Sequence, residues 1–147
     1  MRKIKEIMSS SCITVSKDNT LYEAAGLMDQ HNIGFLPVVD QNKLIGVITD
    51  RDLVIRGYAA KKDGTIAVTE VLTKDYITIE PDATVDEAAE IMAAEQIRRL
   101  PVVSNGDLLG VISLGDMAIR EIFVNEAGEA LSNISEHNHS ASSQIQH

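Results

Sequence analysis

The sequence predicts an α/β fold in which two β-α-β-β-α repeats pack together with pseudo-twofold symmetry. Three observations carry this. The phrase "GVITDRDL" at 46–53 returns as "GVISLGDM" at 110–117, a shift of 64 positions. At the same shift, residues 12–56 align with 76–120 without a gap, and 20 of the 45 pairs are identical, too long a register for chance. Within each copy the apolar period changes from strand to helix and back in the same order.

Each repeat opens on a short strand, Ile13 to Val15 and Ile77 to Ile79, around Thr14 and Thr78. Thr20 with Glu23, and Thr84 with Glu87, have capping-box spacing and start a helix. Leu21, Ala24, Ala25 and Met28, matched by Val85, Ala88, Ala89 and Met92, give that helix its apolar stripe. "FLPVVD" and "RLPVVS" read as strands; tight turns at "QNK" and "NGD" join them to "LIGVI" and "LLGVI", completing hairpins. A last helix begins near Thr49 and near Ser113. One such half leaves a sheet face bare, so the two are expected to cover each other.

The expected organisation is repeat one over 8–60, a linker and short helix over 61–71, repeat two over 72–124, and a tail over 125–147. "NEAGEALSNI" in the tail has weak helical spacing. Beyond about residue 135 the Ser, Asn and His content predicts disorder.

Bulk properties bound the function. The net charge of −9 argues against nucleic acid as a partner, since a phosphate backbone calls for a basic face, and "RKIK" is too short to reverse it. The longest apolar runs have strand length, so no membrane span is expected, and "MRKIKEIMSS" lacks the apolar core of a signal peptide. The single cysteine, Cys12, excludes an intrachain disulfide and fits a cytoplasmic protein. It reads as a half-buried small side chain rather than a reactive thiol. His31 is explained by its place at a helix end, and His137, His139 and His147 have no metal-site spacing. No nucleophile, base and orienting group can be assembled, so neither catalytic residues nor a metal are expected.

The repeated [ST]-x-x-D at the strand-to-helix junction is the chemical signal: Thr49 with Asp52, and Ser113 with Asp116. A carboxylate there can accept from the vicinal hydroxyls of a ribose, and free N–H groups at a helix start attract phosphate. The same spacing is also a capping pattern, with Asp in place of Glu. Arg51 lies inside the first motif, and Arg98 and Arg99 precede the second "LPVV"; each suits either a phosphate contact or a solvated surface.

The "LPVV" strand, the G-V-I-[ST]-x-x-D junction and the T-x-x-E-A-A helix, each present twice, resemble the cystathionine-β-synthase-type (CBS) domain. From about Lys5 to Val124 the chain resembles a stand-alone CBS pair, or Bateman module. That resemblance implies a non-enzymatic regulatory module. It would bind AMP, ADP, ATP, S-adenosylmethionine or a similar adenosine compound between the repeats, as a regulatory ligand and not a resident cofactor. Thr49, Asp52, Ser113 and Asp116 would hold ribose and phosphate, with Arg51, Arg98 and Arg99 on phosphate. Backbone near Thr14 and Thr78, with Leu36-Pro37 and Leu100-Pro101, would frame the adenine. The expected partners are a second copy of the chain, forming a homodimer, and a regulated protein. An oligomeric scaffold with vestigial pockets is the alternative.

Overall fold

In the computed structural model, which describes residues 2–118, strand β1 (Val15–Ser16) leads into helix α1 (Leu21–His31) and the hairpin of β2 (Phe35–Asp40) and β3 (Lys43–Thr49). A short helix, α2 (Asp50–Asp52), continues into a π-type turn over Leu53–Tyr58. The second copy supplies α3 (Val85–Glu95), β4 (Arg99–Ser104) and β5 (Asp107–Ser113). Residues 125–147, with the tail helix, the tail disorder and the three tail histidines of the sequence reading, lie outside the described residues.

The strand order β1-β2-β3-β5-β4 places the two hairpins side by side in opposite senses. They meet where Lys43 pairs with Asp107, closed by Leu44 N–H to the Gly106 carbonyl at 3.0 Å and Leu108 N–H to the Asn42 carbonyl at 2.9 Å. Both hairpins also break register at equivalent places, Val38/Val39 and Val102/Val103. In place of a second full strand over 77–79, Ile79 alone bridges Val102 in parallel. The first strand is likewise shorter than the alternation implied, because only Val15 and Ser16 pair with β2.

Thr20 caps α1 reciprocally: its hydroxyl accepts from Glu23 N–H at 3.2 Å, and Glu23 accepts from Thr20 N–H at 2.9 Å. At α3 only the forward half forms, Thr84 accepting from Glu87 N–H at 3.1 Å. Asn32 and Gln96 end the two helices in the left-handed conformation.

Two cores result. Leu21, Ala24, Met28, Leu36, Val38 and Ile48 build the first, and Ala88, Met92, Leu100, Val102 and Ile112 the second. The segments that precede the repeats are exchanged between these cores. Val68, Val71 and Leu72, from just ahead of repeat two, pack in the first core. Ile4 and Ile7, from ahead of repeat one, pack in the second. The stretch expected as linker is therefore partly core: Val68 and Val71 are fully buried, on a single 3-10 turn (Val68–Glu70) that mirrors Ile4–Glu6.

Candidate functional site

Each [ST]-x-x-D motif sits where the last strand of its repeat turns into a helix. The hydroxyls act alike: Thr49 accepts from Asp52 N–H at 3.1 Å, and Ser113 from Asp116 N–H at 3.0 Å. The carboxylates do not. Asp52 is only 8% exposed. It accepts from Thr49 N–H at 3.0 Å and from the Thr73 hydroxyl, which lies 3.2 Å from both of its oxygens. The Arg56 guanidinium stands 3.8 Å away, itself donating to the Leu72 carbonyl at 3.1 Å. Two donors, the Thr49 N–H and the Thr73 hydroxyl, thus occupy part of the roughly four acceptor positions that a carboxylate offers. In this repeat Thr49 and Asp52 form a reciprocal helix cap, and Asp52 is buried within it.

Asp116 is exposed and faces a cleft of about 320 Å³ between the halves. Ser113, Val111 and Arg99 of repeat two line one side; Cys12, Ile13, Ile33, Phe35 and Pro37 of repeat one, with Ser9 and Ser11, line the other. The lining combines apolar side chains with a few polar groups, the usual make-up of a small-molecule site. Arg99 also borders an adjoining pocket of about 330 Å³ with Arg98, Ser113 and Gly115. The two pockets share Arg99 and Ser113.

The remaining expected residues separate by strand alternation. Phe35 and Pro37 face the cleft, whereas the side chains of Leu36 and Leu100 are fully buried in the two cores. Pro101 is buried and its carbonyl accepts from Ile79 N–H at 3.0 Å. Thr14 is half-buried beside the cleft residue Ile13, and Thr78 is exposed. Arg51 is exposed on α2, its N–H donating to Asp50 at 2.8 Å.

Sequence reasoning passed over Phe35, Ile33 and the Ser9–Ile13 segment as cleft walls. Their signal was present: Phe35 and Arg99 exchange places at the 64-residue shift, as do Cys12 and Tyr76. Burial pushes the Cys12 thiol pKa up, in keeping with an unreactive wall residue. Burial likewise raises the Tyr76 phenol, with Arg99 opposing it.

Among the described residues no cluster of three His, Cys, Asp or Glu side chains could hold a metal ion, and no helix is long and apolar enough to cross a membrane.

Known proteins match this architecture. The CBS domain family model matches twice, over residues 4–57 and 68–120. The CBS domain-containing protein YhcV of Bacillus subtilis is 42% identical over 138 residues, covering 94% of this chain and 99% of that protein. The crystal structure of Hypoxic Response Protein I with two coordinated zinc ions superposes with a TM-score of 0.74 at 36% identity, covering 82% of this chain and 99% of the other. The CBS domain pair of protein MJ0100, in complex with 5'-methylthioadenosine and S-adenosyl-L-methionine, superposes with a TM-score of 0.70 at 31% identity, covering 85% and 98%. The matched residues fall on both halves of the sheet and on both strand-to-helix junctions, and the chain belongs to the CBS domain family as a tandem pair of repeats.

Proposed function

We propose that this protein is a non-enzymatic cytoplasmic sensor that binds an adenosine-containing ligand in the cleft at Asp116 and reports its presence to a partner protein. The observation that carries the reading is the contrast between the two motifs: one carboxylate is buried in its own cap, and the other faces an apolar-walled cleft between the repeats. In that cleft Asp116 would accept from the ribose hydroxyls. Phe35, Pro37, Ile13 and Ile33 would enclose the base, and Arg99 with Arg98 would meet phosphate. The ligands carried by the MJ0100 pair support the adenosine class. Binding changes the protein's output only if the ligand prefers one arrangement of the halves over another, and walls drawn from both halves provide such a preference.

A second copy of the chain is the other proposed partner. Tyr22, Val54, Ile55 and Tyr58 are 70%, 56%, 50% and 86% exposed around α1 and the turn after α2, an apolar surface suited to self-association. Sedimentation across tens of micromolar, around micromolar affinity, tests this, and a monomer throughout would refute it.

Isothermal titration with AMP, ATP and S-adenosylmethionine tests the ligand reading. Asp116→Ala is expected to weaken binding by roughly 1.5–3 kcal/mol, the worth of hydrogen bonds to a charged group. Equal affinity in wild type and variant, or no binding of any adenosine compound at millimolar concentration, would overturn it.

A further inference from the structure

The 64-residue shift defines a twin for every wall of the Asp116 cleft. Ser9 maps to Thr73, Ser11 to Asp75, Cys12 to Tyr76 and Asp116 to Asp52. The residues at 73, 75 and 76 act against occupancy of the twin. Where Cys12 leaves room, the Tyr76 ring stands 5.4 Å from that of Phe35, tilted by 58°. Its hydroxyl donates to the Arg99 carbonyl of its own repeat at 2.9 Å, while its ring packs on Phe35 of the other. Thr73 sets its hydroxyl 3.2 Å from both oxygens of Asp52, a bond that Ser9 does not make to Asp116, and Asp75 carries a negative charge where the open cleft has a serine.

From this geometry we infer that the chain takes one nucleoside ligand and not two, its second cleft being closed by its own Tyr76 and latched by Thr73 on Asp52. The inference deepens the proposed function and rests on the reading of the Asp116 cleft given there. The closed side also serves the open one. Phe35 and Arg99 line opposite walls of the open cleft, and Tyr76 touches both. Tyr76 is thus a positioning residue: the filled twin holds a wall residue from each repeat at a fixed separation, so the open cleft is shaped before ligand arrives.

Calorimetric titration of the full chain with ATP and with adenosine tests the stoichiometry. Wild type is expected to bind one equivalent per chain, a signal lost in Asp116→Ala and retained in Asp52→Asn. A variant that removes the latch and the ring, Thr73→Val with Asp75→Ser and Tyr76→Cys, is expected to take a second equivalent. Two equivalents in wild type, or a folded triple variant that stays at one, would overturn the inference. The latch is read without ligand from melting temperatures of Asp52→Asn, Thr73→Val and their combination. The pair is expected to melt no lower than the worse single variant, and additive losses would overturn the latch. Absence of all adenosine binding would refute the proposed function, while the melting series would still decide whether the twin is closed.

Discussion

Ser9 and Val111 exchange two backbone hydrogen bonds of 3.0 Å each, and they can do so because residue 110 is glycine. A Cβ on Gly110 would lie 2.4 Å from the Ser9 carbonyl oxygen; one on Gly46 would lie 2.6 Å from the Thr73 carbonyl oxygen. Val47 and Thr73 repeat the same exchange, at 3.0 and 2.8 Å. The glycine of the repeated "GVI" thus admits the segment that each core borrows from ahead of the other repeat. Gly110→Ala and Gly46→Ala are expected to destabilise by about 2–3 kcal/mol, the upper range for overpacking, because the opposing atoms are backbone and cannot swing aside. A Cβ on Gly26, within α1, would meet nothing within 4 Å. Gly26→Ala should gain about 0.5–1 kcal/mol from helix propensity. Urea unfolding of the three variants checks the contrast in sign.

The exchange of leading segments makes the N-terminus part of the second half. Ile4 is fully buried beside Ile79, Ala88 and Met92, and its N–H donates to the Ala83 carbonyl at 2.8 Å. Ile4→Ala is expected to cost about 2–5 kcal/mol, as for other large-to-small core changes. Deleting residues 1–8 should expose amides near β5 and α3 to hydrogen exchange before those of β2 and β3. Uniform exchange across both halves would refute this ordering.

The repeat, the order of its elements and the pairing of its hairpins were legible because they follow from local period and turn chemistry. Thr20 and Thr84 announced their helices, and Gln41-Asn42 and Asn105-Gly106 turn their hairpins with positive φ, as the polar turns implied. What local patterns could not give was the fate of Asp52. Its buried state depends on Thr73, 21 positions away, entering from the stretch between the repeats. The same limit hid the core role of Val68 and Val71, whose partners are on α1 and β2 and not on their neighbours. Leu36 and Phe35 are adjacent in sequence yet serve core and cleft separately, a division visible only once the hairpin register fixes which face meets the other repeat.

Cys12 offers a reporter for the cleft. Burial raises its pKa, so the neutral thiol persists to higher pH and the nucleophilic thiolate is scarce at neutrality. Alkylation by iodoacetamide at pH 7 should be slower than for a free thiol peptide, and the rate should keep rising with pH beyond the point where the peptide levels off. An adenosine ligand seated against Cys12 should slow it further. An unfolded-like rate at pH 7 would mean that the segment before β1 does not close over the cleft.

Arg99 distinguishes ligands by their phosphate content. It is exposed, lines the open cleft, and borders the adjoining pocket with Arg98, Ser113 and Gly115. A phosphate chain on a ribose held by Asp116 would therefore have two guanidinium groups within the joined pockets, while adenosine carries no phosphate for either. Because the site is open to water, its charge–charge attraction is screened, and Arg99→Ala should weaken ATP by about tenfold, or roughly 1.4 kcal/mol. Adenosine should change by less than twofold, and the gap should narrow as salt rises from about 0.05 to 0.5 M, where the screening length becomes shorter than the cleft. Titrations of ATP and adenosine against both proteins at two salt concentrations measure the difference directly. Equal losses for the two ligands would place Arg99 on the base or ribose instead of the phosphate.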